Sequence, residues 1–312
     1  MRYVLHRILA TLPVMAVVAV FVFSLLHLSP GDPAAIIAGE FASPAEIARV
    51  RVSLGLDQPL HTQFLAWVTR LAQGDFGTSI FSDIPVTRMI LQRVEPTLSL
   101  TFLSMLITIS VAVPLGAIAA WKANSIIDRL VMALAVFGFS FPVFVIGYLL
   151  MFPFAIWTDL LPVQGYVSLF EDPARWLRHL VLPSISVSLV FIALIARMTR
   201  ASMLEVLSQD YVRTAHAKGL PDSKVLFKHA LQNASVPIVT AIGIGVALVI
   251  GGVVVTETVF AIPGLGRLTV DSILRRDYPV IQAIVLVFSF AYVLINLLID
   301  LSYKLLDPRI RY

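Results

Sequence analysis

Ser208 to Asn233, SQDYVRTAHAKGLPDSKVLFKHALQN, is the longest polar passage between two apolar runs in the second half of this chain. Gly219 is placed to cap a first helix at its C-terminus, and Pro221 cannot continue it. Asp222 or Ser223 can cap a second helix, Lys224 to Leu231, so the passage predicts helix, tight turn, helix. Tyr211, Ala215 and Lys218 fall at i, i+4 and i+7, a stripe with a small residue at its centre that a partner's groove can approach closely. Arg213, Lys218, Lys224 and Lys228 equally satisfy the positive charge bias of loops retained on the cytoplasmic side of a membrane. The flanking sequence has to decide between docking and plain topology.

Composition sets the class. Of 312 residues 58% are hydrophobic and 13% charged, against about 25% charged in soluble domains, which reads as a polytopic membrane protein. The net charge of +4 belongs mostly to residues flanking apolar runs, so it speaks of topology and anionic lipid, not of nucleic acid. With no cysteine there is no disulfide framework, thiolate metal site or Cys nucleophile.

A short basic lead, Met1 to Arg7, precedes Ile8 to Leu28, a run of 21 residues long enough to cross about 30 Å of hydrocarbon. It is too long for a signal-peptide core, and the following Ser29-Pro30-Gly31-Asp32-Pro33 has no small-x-small cleavage site. Ser43-Pro44-Ala45-Glu46 matches a capping box, and Ile47, Val50 and Leu54 line one face before Gly55 stops the helix. A second amphipathic helix is predicted from Leu60 to Leu71, followed by the turn Gly74-Asp75-Phe76-Gly77. Both helices are expected on the membrane surface or capping the spans. Five more spans are predicted at 98–121, 130–157, 181–197, 234–255 and 280–301. The division is therefore 1–28 as cytoplasmic N-terminus and first span, 29–96 as a helical extracytoplasmic loop, 97–303 as a core of five spans containing the polar loop 200–233, and 304–312 as a cytoplasmic tail. With the N-terminus inside, the cytoplasmic segments carry 13 of the 23 lysines and arginines and the short outer loops only Arg175, Arg178, Arg267, Arg275 and Arg276.

No Walker A sequence, H-E-x-x-H or G-x-S-x-G occurs, and the six histidines are scattered, so the chain reads as neither a P-loop ATPase nor an enzyme. Ion-coupled carriers need titratable groups inside spans. Here every acid lies in a loop or at a span edge, Glu257 and Asp300 being nearest to hydrocarbon. Ala241 with Gly245, Gly243 with Ala247, and Gly251-Gly252 read as close-packing sites for neighbouring helices.

SPGDP, GDFGTSI, DYVRTAHAKGLPDSKVLFKHALQNASVP, ETVFAIPGLGRL and the terminal LDPRIRY, in that order along the whole chain, resemble the ABC-transporter permeases of the dipeptide, oligopeptide and nickel import group, and among them the first permease of the pair. The resemblance implies an all-α polytopic fold with six transmembrane helices, similar to type I ABC importer permeases, in the cytoplasmic (inner) membrane of a prokaryote with both termini cytoplasmic. It also implies a coupling helix for a separate ATPase, carried onto Asp210, Tyr211, Arg213, Thr214, Ala215, His216, Lys218 and Gly219, and an outer-loop gate carried onto Glu257, Phe260, Pro263, Gly264 and Gly266. Arg213-Thr214-Ala215 stands where the general pattern has Glu-Ala-Ala, and His216 where relatives often have Arg. The implied partners are a second homologous permease, two ATP-binding-cassette ATPases that hold ATP and Mg, an extracytoplasmic binding protein and membrane lipid, with no nucleic acid and no cofactor on this chain. The implied cargo is short peptides, with nickel chelates, glutathione and other small solutes as alternatives.

Overall fold

The computed structural model of the protein describes residues 2–28, 32–38, 42–53 and 55–306. Ser29 to Gly31 of SPGDP, Leu54 of the first amphipathic face, and the tail 307–312, which holds all but the first residue of LDPRIRY, lie outside the described residues. The helices are α1 (Arg2–Leu28), α2 (Pro33–Ala38), α3 (Pro44–Ser53), α4 (Leu60–Ala72), α5 (Val86–Trp121), α6 (Ile126–Ser140), α7 (Val143–Met151), α8 (Pro173–Leu207), α9 (Asp210–Ala217), α10 (Asp222–Lys224), α11 (Leu231–Asn233), α12 (Ser235–Val259), α13 (Leu265–Arg275) and α14 (Tyr278–Leu306). Single π-helical turns follow α7 (Phe152–Trp157) and α10 (Val225–Ala230).

Among the described residues five helices are long and apolar enough to cross a membrane: α1 from Leu9, α5, α8, α12 and α14. The sixth predicted span, 130–157, is not one straight rod. It breaks between α6 and α7 with a bend of 98° and counts as a span only if the bent pair is taken together. The cause is Pro142, which lacks an N–H and pushes the residue before it out of the helical region. Phe141 accordingly sits at φ −101, ψ 136.

Local chemistry sets the other ends. Ser43 and Glu46 close the capping box, Ser43 N donating to Glu46 Oε2 at 2.7 Å and Glu46 N to Ser43 Oγ at 3.3 Å. The Ser43 backbone and hydroxyl bonds hold the Glu46 carboxyl below its ordinary pKa. Asp172 Oδ1 accepts from the amides of Ala174 and Arg175, each at 3.0 Å, and Pro173 opens the first turn, so α8 has a complete start signal.

The chain packs as two compact units, residues 1–93 with 268–293, and residues 94–267 with 294–312. In the first of these units the loop after the first span groups with that span and with residues 268–293. In the first unit α4 caps α1: the ring of Phe23 meets Phe64 edge-on at 5.3 Å and Trp67 at 5.8 Å, and His27 Nε2 lies 3.2 Å from Gln63 Oε1. Buried Asp277 accepts from Ser79 Oγ at 2.5 Å and from Ile80 N at 3.2 Å.

In the second unit α8 is the central helix, with Leu180, Leu182, Val187, Phe191 and Ile195 in a core shared with Leu100, Leu103 and Met105 of α5 and Val249 and Val253 of α12. Ser188 Oγ donates to the Ser104 carbonyl at 2.8 Å, tying α8 to α5 inside that core. Of the small residues on α12, Gly245 faces Ile195 of α8 and Gly243 lies where a Cβ would overlap Ile299 of α14, whereas Gly251 faces open space. Helix packing accounts for the first two.

Candidate functional site

The loop between α8 and α12 folds as helix, turn, helix. Ser208 and Gln209 carry the chain from α8 into α9. Gly219 adopts φ +74, a left-handed conformation that other residues reach at a cost, and the turn closes with Gly219 N bonded to the His216 carbonyl at 2.8 Å and Leu220 N to that of Ala215 at 3.3 Å. Pro221 then directs the chain back. The second helical stretch is longer than expected, running over 222–233, and Pro221 is its cap residue, with no side-chain bond from Asp222 or Ser223 at that end. Its middle is the π turn, a widened winding found often at functional sites.

This return packs Val225 onto Val212 and Ala215, with Leu207 and Leu220 around them. The predicted docking stripe is therefore corrected: Ala215 is only 8% exposed and turned into the loop's own core. The outward face of α9 consists of Asp210, Arg213, Thr214, Ala217 and Lys218, with Tyr211 at 40% exposure on its flank. Partial burial pushes the Tyr211 phenol pKa up, opposed by a bond to Asn233. His216 lies between two neighbours. Its ring centroid is 5.8 Å from that of Trp121, the last residue of α5, and its Nε2 is 3.6 Å from Asp222 Oδ1.

The residues after α12 form a clasp, not an open rim. Glu257, in the last turn of α12, is fully buried, and its carboxylate lies beside the first turn of α13. Thr97 Oγ1 donates to its Oε1 at 2.5 Å, and Arg267 N donates to its Oε2 at 2.9 Å. Leu265 N donates back to Thr97 Oγ1 at 2.8 Å. A carboxylate beside the first amides of a helix meets donors that have no partner within the helix. A Cβ on Gly264 would overlap the Glu257 carboxylate, so that position excludes a side chain. Phe260, Gly264 and Gly266 are buried, and Pro263 alone of the predicted gate residues is exposed.

Sequence reasoning missed the groups that complete these sites. Glu95 Oε1 gathers Tyr166 Oη at 2.9 Å, Ser168 Oγ at 2.7 Å and Leu169 N at 3.1 Å, and so ties the loop before α8 to α5. Burial, then the bond to Glu95 and its charge, pushes Tyr166 up to about 12. Asp128 is held by Arg200 through Nε at 2.6 Å and Nη2 at 2.7 Å. The available signal was an acid or arginine at the edge of an apolar run, but residue spacing gives no partner for it. Among the described residues no group of three or more His, Asp or Glu is placed to hold a metal ion.

In the second unit α8 shares a core with α5 and α12, a short polar helix lies between α8 and α12 in the chain, and all three long helices are apolar enough to cross a membrane, which defines a multi-pass helical membrane protein. The chain belongs to the family described as the binding-protein-dependent transport system inner membrane component, which it matches over residues 112–312, while residues 1–101 match the N-terminal part of such membrane components. It is 53% identical over 310 residues, 99% of either chain, to the "Probable peptide ABC transporter permease protein y4tP" of Sinorhizobium fredii. It is 48% identical over 312 residues, all of this chain and 99% of the other, to the "Glutathione transport system permease protein GsiC" of Salmonella typhimurium. Among solved structures, a chain of the inward-facing MetNI methionine ABC transporter matches with a TM-score of 0.59 and 19% identity over 70% of this chain and 96% of that one, which supports the fold. This protein is thus the permease subunit of an ABC importer, a multi-pass inner-membrane protein that is not itself an enzyme. ATP belongs to ATPase partners, and a binding protein is implied by the family.

Proposed function

We propose that this chain is the first of two homologous permeases forming a path for short peptides, with α9 as the element that docks on one of two ATPases. The carrying observation is a polar helix with an outward charged face, joined at one end directly to α8 and at the other, through a π turn, to α12. Closure of the ATPase pair displaces α9, and the two attached helices shift between inward-open and outward-open packings. Such a displacement biases the equilibrium only through contacts that differ between the two states. Both termini and the loop 200–233 are assigned to the cytoplasm by the lysine and arginine count. The binding protein delivers cargo to the side bearing residues 29–96 and 257–279.

The high identity to a relative named as a peptide permease supports peptide cargo, and that to one named for glutathione supports the tripeptide as a second reading. The test is purification in mild detergent from the native membrane with mass spectrometry of what accompanies the chain, followed by binding of di-, tri- and oligopeptides and glutathione to the recovered binding protein. A second permease and P-loop ATPases are expected. Recovery of the chain alone would overturn the assignment of α9.

A further inference from the structure

The coupling loop has covalent links to α8 and α12 but none to α5, and α5 is the helix whose other end holds the loops. Glu95 and Thr97 lie near its N-terminal end, the first gathering three donors from residues 166–169 and the second bonded to Glu257 and Leu265. Trp121 ends it, 24 residues after Thr97, a distance of roughly 36 Å at 1.5 Å per residue. The inward residues of α9, Val212 and Ala215, pack on Leu207, Leu220 and Val225, which belong to α8, the turn and the π turn. His216 is different: its ring meets that of Trp121 with centroids 5.8 Å apart and planes tilted by 33°, while Asp222 faces its Nε2 from the opposite arm of the turn. Trp121 in turn packs against the cluster of Ala117, Ala120, Met203, Leu226, Ala230 and Ala234, which joins α5 to α8 and to the π turn.

We infer that the His216–Trp121 contact is a direct non-covalent link by which displacement of α9 reaches α5, beside the indirect route through the π turn, and through α5 the Glu95 and Thr97 clasps near its other end. His216 is a positioning residue here. Its ring transmits the position of α9 directly to a helix to which the loop is not covalently joined. This inference rests on the reading of α9 as the ATPase-docking helix.

The test uses the complete transporter reconstituted in liposomes, reading substrate taken up per ATP hydrolysed. His216→Ala and Trp121→Ala are each expected to lower that ratio by roughly 2- to 30-fold, the range spanned by residues that modulate coupling between sites. The double variant is expected to fall no further than either single, since both remove one contact. His216→Phe and Trp121→Phe keep an aromatic ring at the contact and are expected to restore the ratio, which a general packing role would not require. Should an Ala variant fail to assemble, the cysteine-free background offers a second measurement. In a His216→Cys, Trp121→Cys chain, a reducible bifunctional thiol reagent is expected to cross-link the pair and arrest uptake, and reduction to restore it. Unchanged ratios in the Ala variants, additive losses, or no rescue by Phe would overturn the contact as a link. Wild-type complexes lacking any ATPase would instead overturn the coupling reading itself, so the two failures are distinguishable.

Discussion

Arg200 grips Asp128 across 72 positions of sequence with two hydrogen bonds, Nε to Oδ1 at 2.6 Å and Nη2 to Oδ2 at 2.7 Å, and Asn124 N adds a third to Oδ2 at 2.9 Å. The Asp128 side chain is 5% exposed and that of Arg200 25%, so the pair is largely shielded from water and joins the first turn of α6 to α8. Removing one partner leaves a buried charge uncompensated, at a cost of about 3–5 kcal/mol, whereas replacing both with apolar groups of similar volume is often neutral. Asp128→Leu is therefore expected to lower the thermal midpoint in detergent sharply, and Asp128→Leu with Arg200→Met to recover most of the loss. Equal losses in the single and double variants would show that the pair is not the source.

The Glu257 clasp makes a prediction against a simple gate. Because the carboxylate is fully buried and bonded to Thr97 and the Arg267 amide, Glu257→Gln should lose about 1.5–3 kcal/mol of charge-assisted bonding. Gly264→Ala should cost about 1–3 kcal/mol by overpacking against the same carboxylate. Folded yield and thermal midpoint should fall in both, with uptake per folded molecule retained. Normal stability with lost uptake would return Glu257 to a gating role.

The two faces of α9 should respond differently to charge. Ala215→Glu places a carboxylate among Val212, Val225, Leu207 and Leu220, and is expected to destabilise the loop, seen as faster proteolysis between α8 and α12. Arg213→Glu lies on the exposed face and is expected to leave that digestion pattern unchanged while weakening retention of the ATPase. Identical behaviour of the two variants would contradict the inward placement of Ala215.

Tyr166 carries a pH signature. Its phenol is pushed up to about 12, first by burial and then by its bond to the Glu95 carboxylate and that group's charge, from an ordinary value of about 10. A folded pKa above the unfolded one stabilises the protein fully below about pH 10, and the contribution is lost as pH rises towards 12. The difference in thermal midpoint between wild type and Tyr166→Phe should be constant from neutrality to about pH 10 and narrow above it. A difference that stays level up to pH 12 would show that the phenol titrates at its ordinary value.

The sequence by itself determined the membrane class, the long apolar helices other than the α6–α7 break, the amphipathic α3 and α4, and the helix-turn-helix of the polar loop. These follow from local properties: apolar run length, the Ser43–Glu46 capping box, the left-handed position at Gly219 and the helix-breaking Pro221 each act within a few residues. The break at Pro142 was equally local, yet hydropathy, which counts apolar residues without regard to backbone N–H groups, passed over it. Only the tertiary structure decided which way Ala215 faces, because that depends on Val225 returning over it. It likewise decided that Glu257 is enclosed by Thr97, 160 positions away, and that His216 meets Trp121. No periodicity encodes such contacts, since they arise where separately determined helices are brought together by packing.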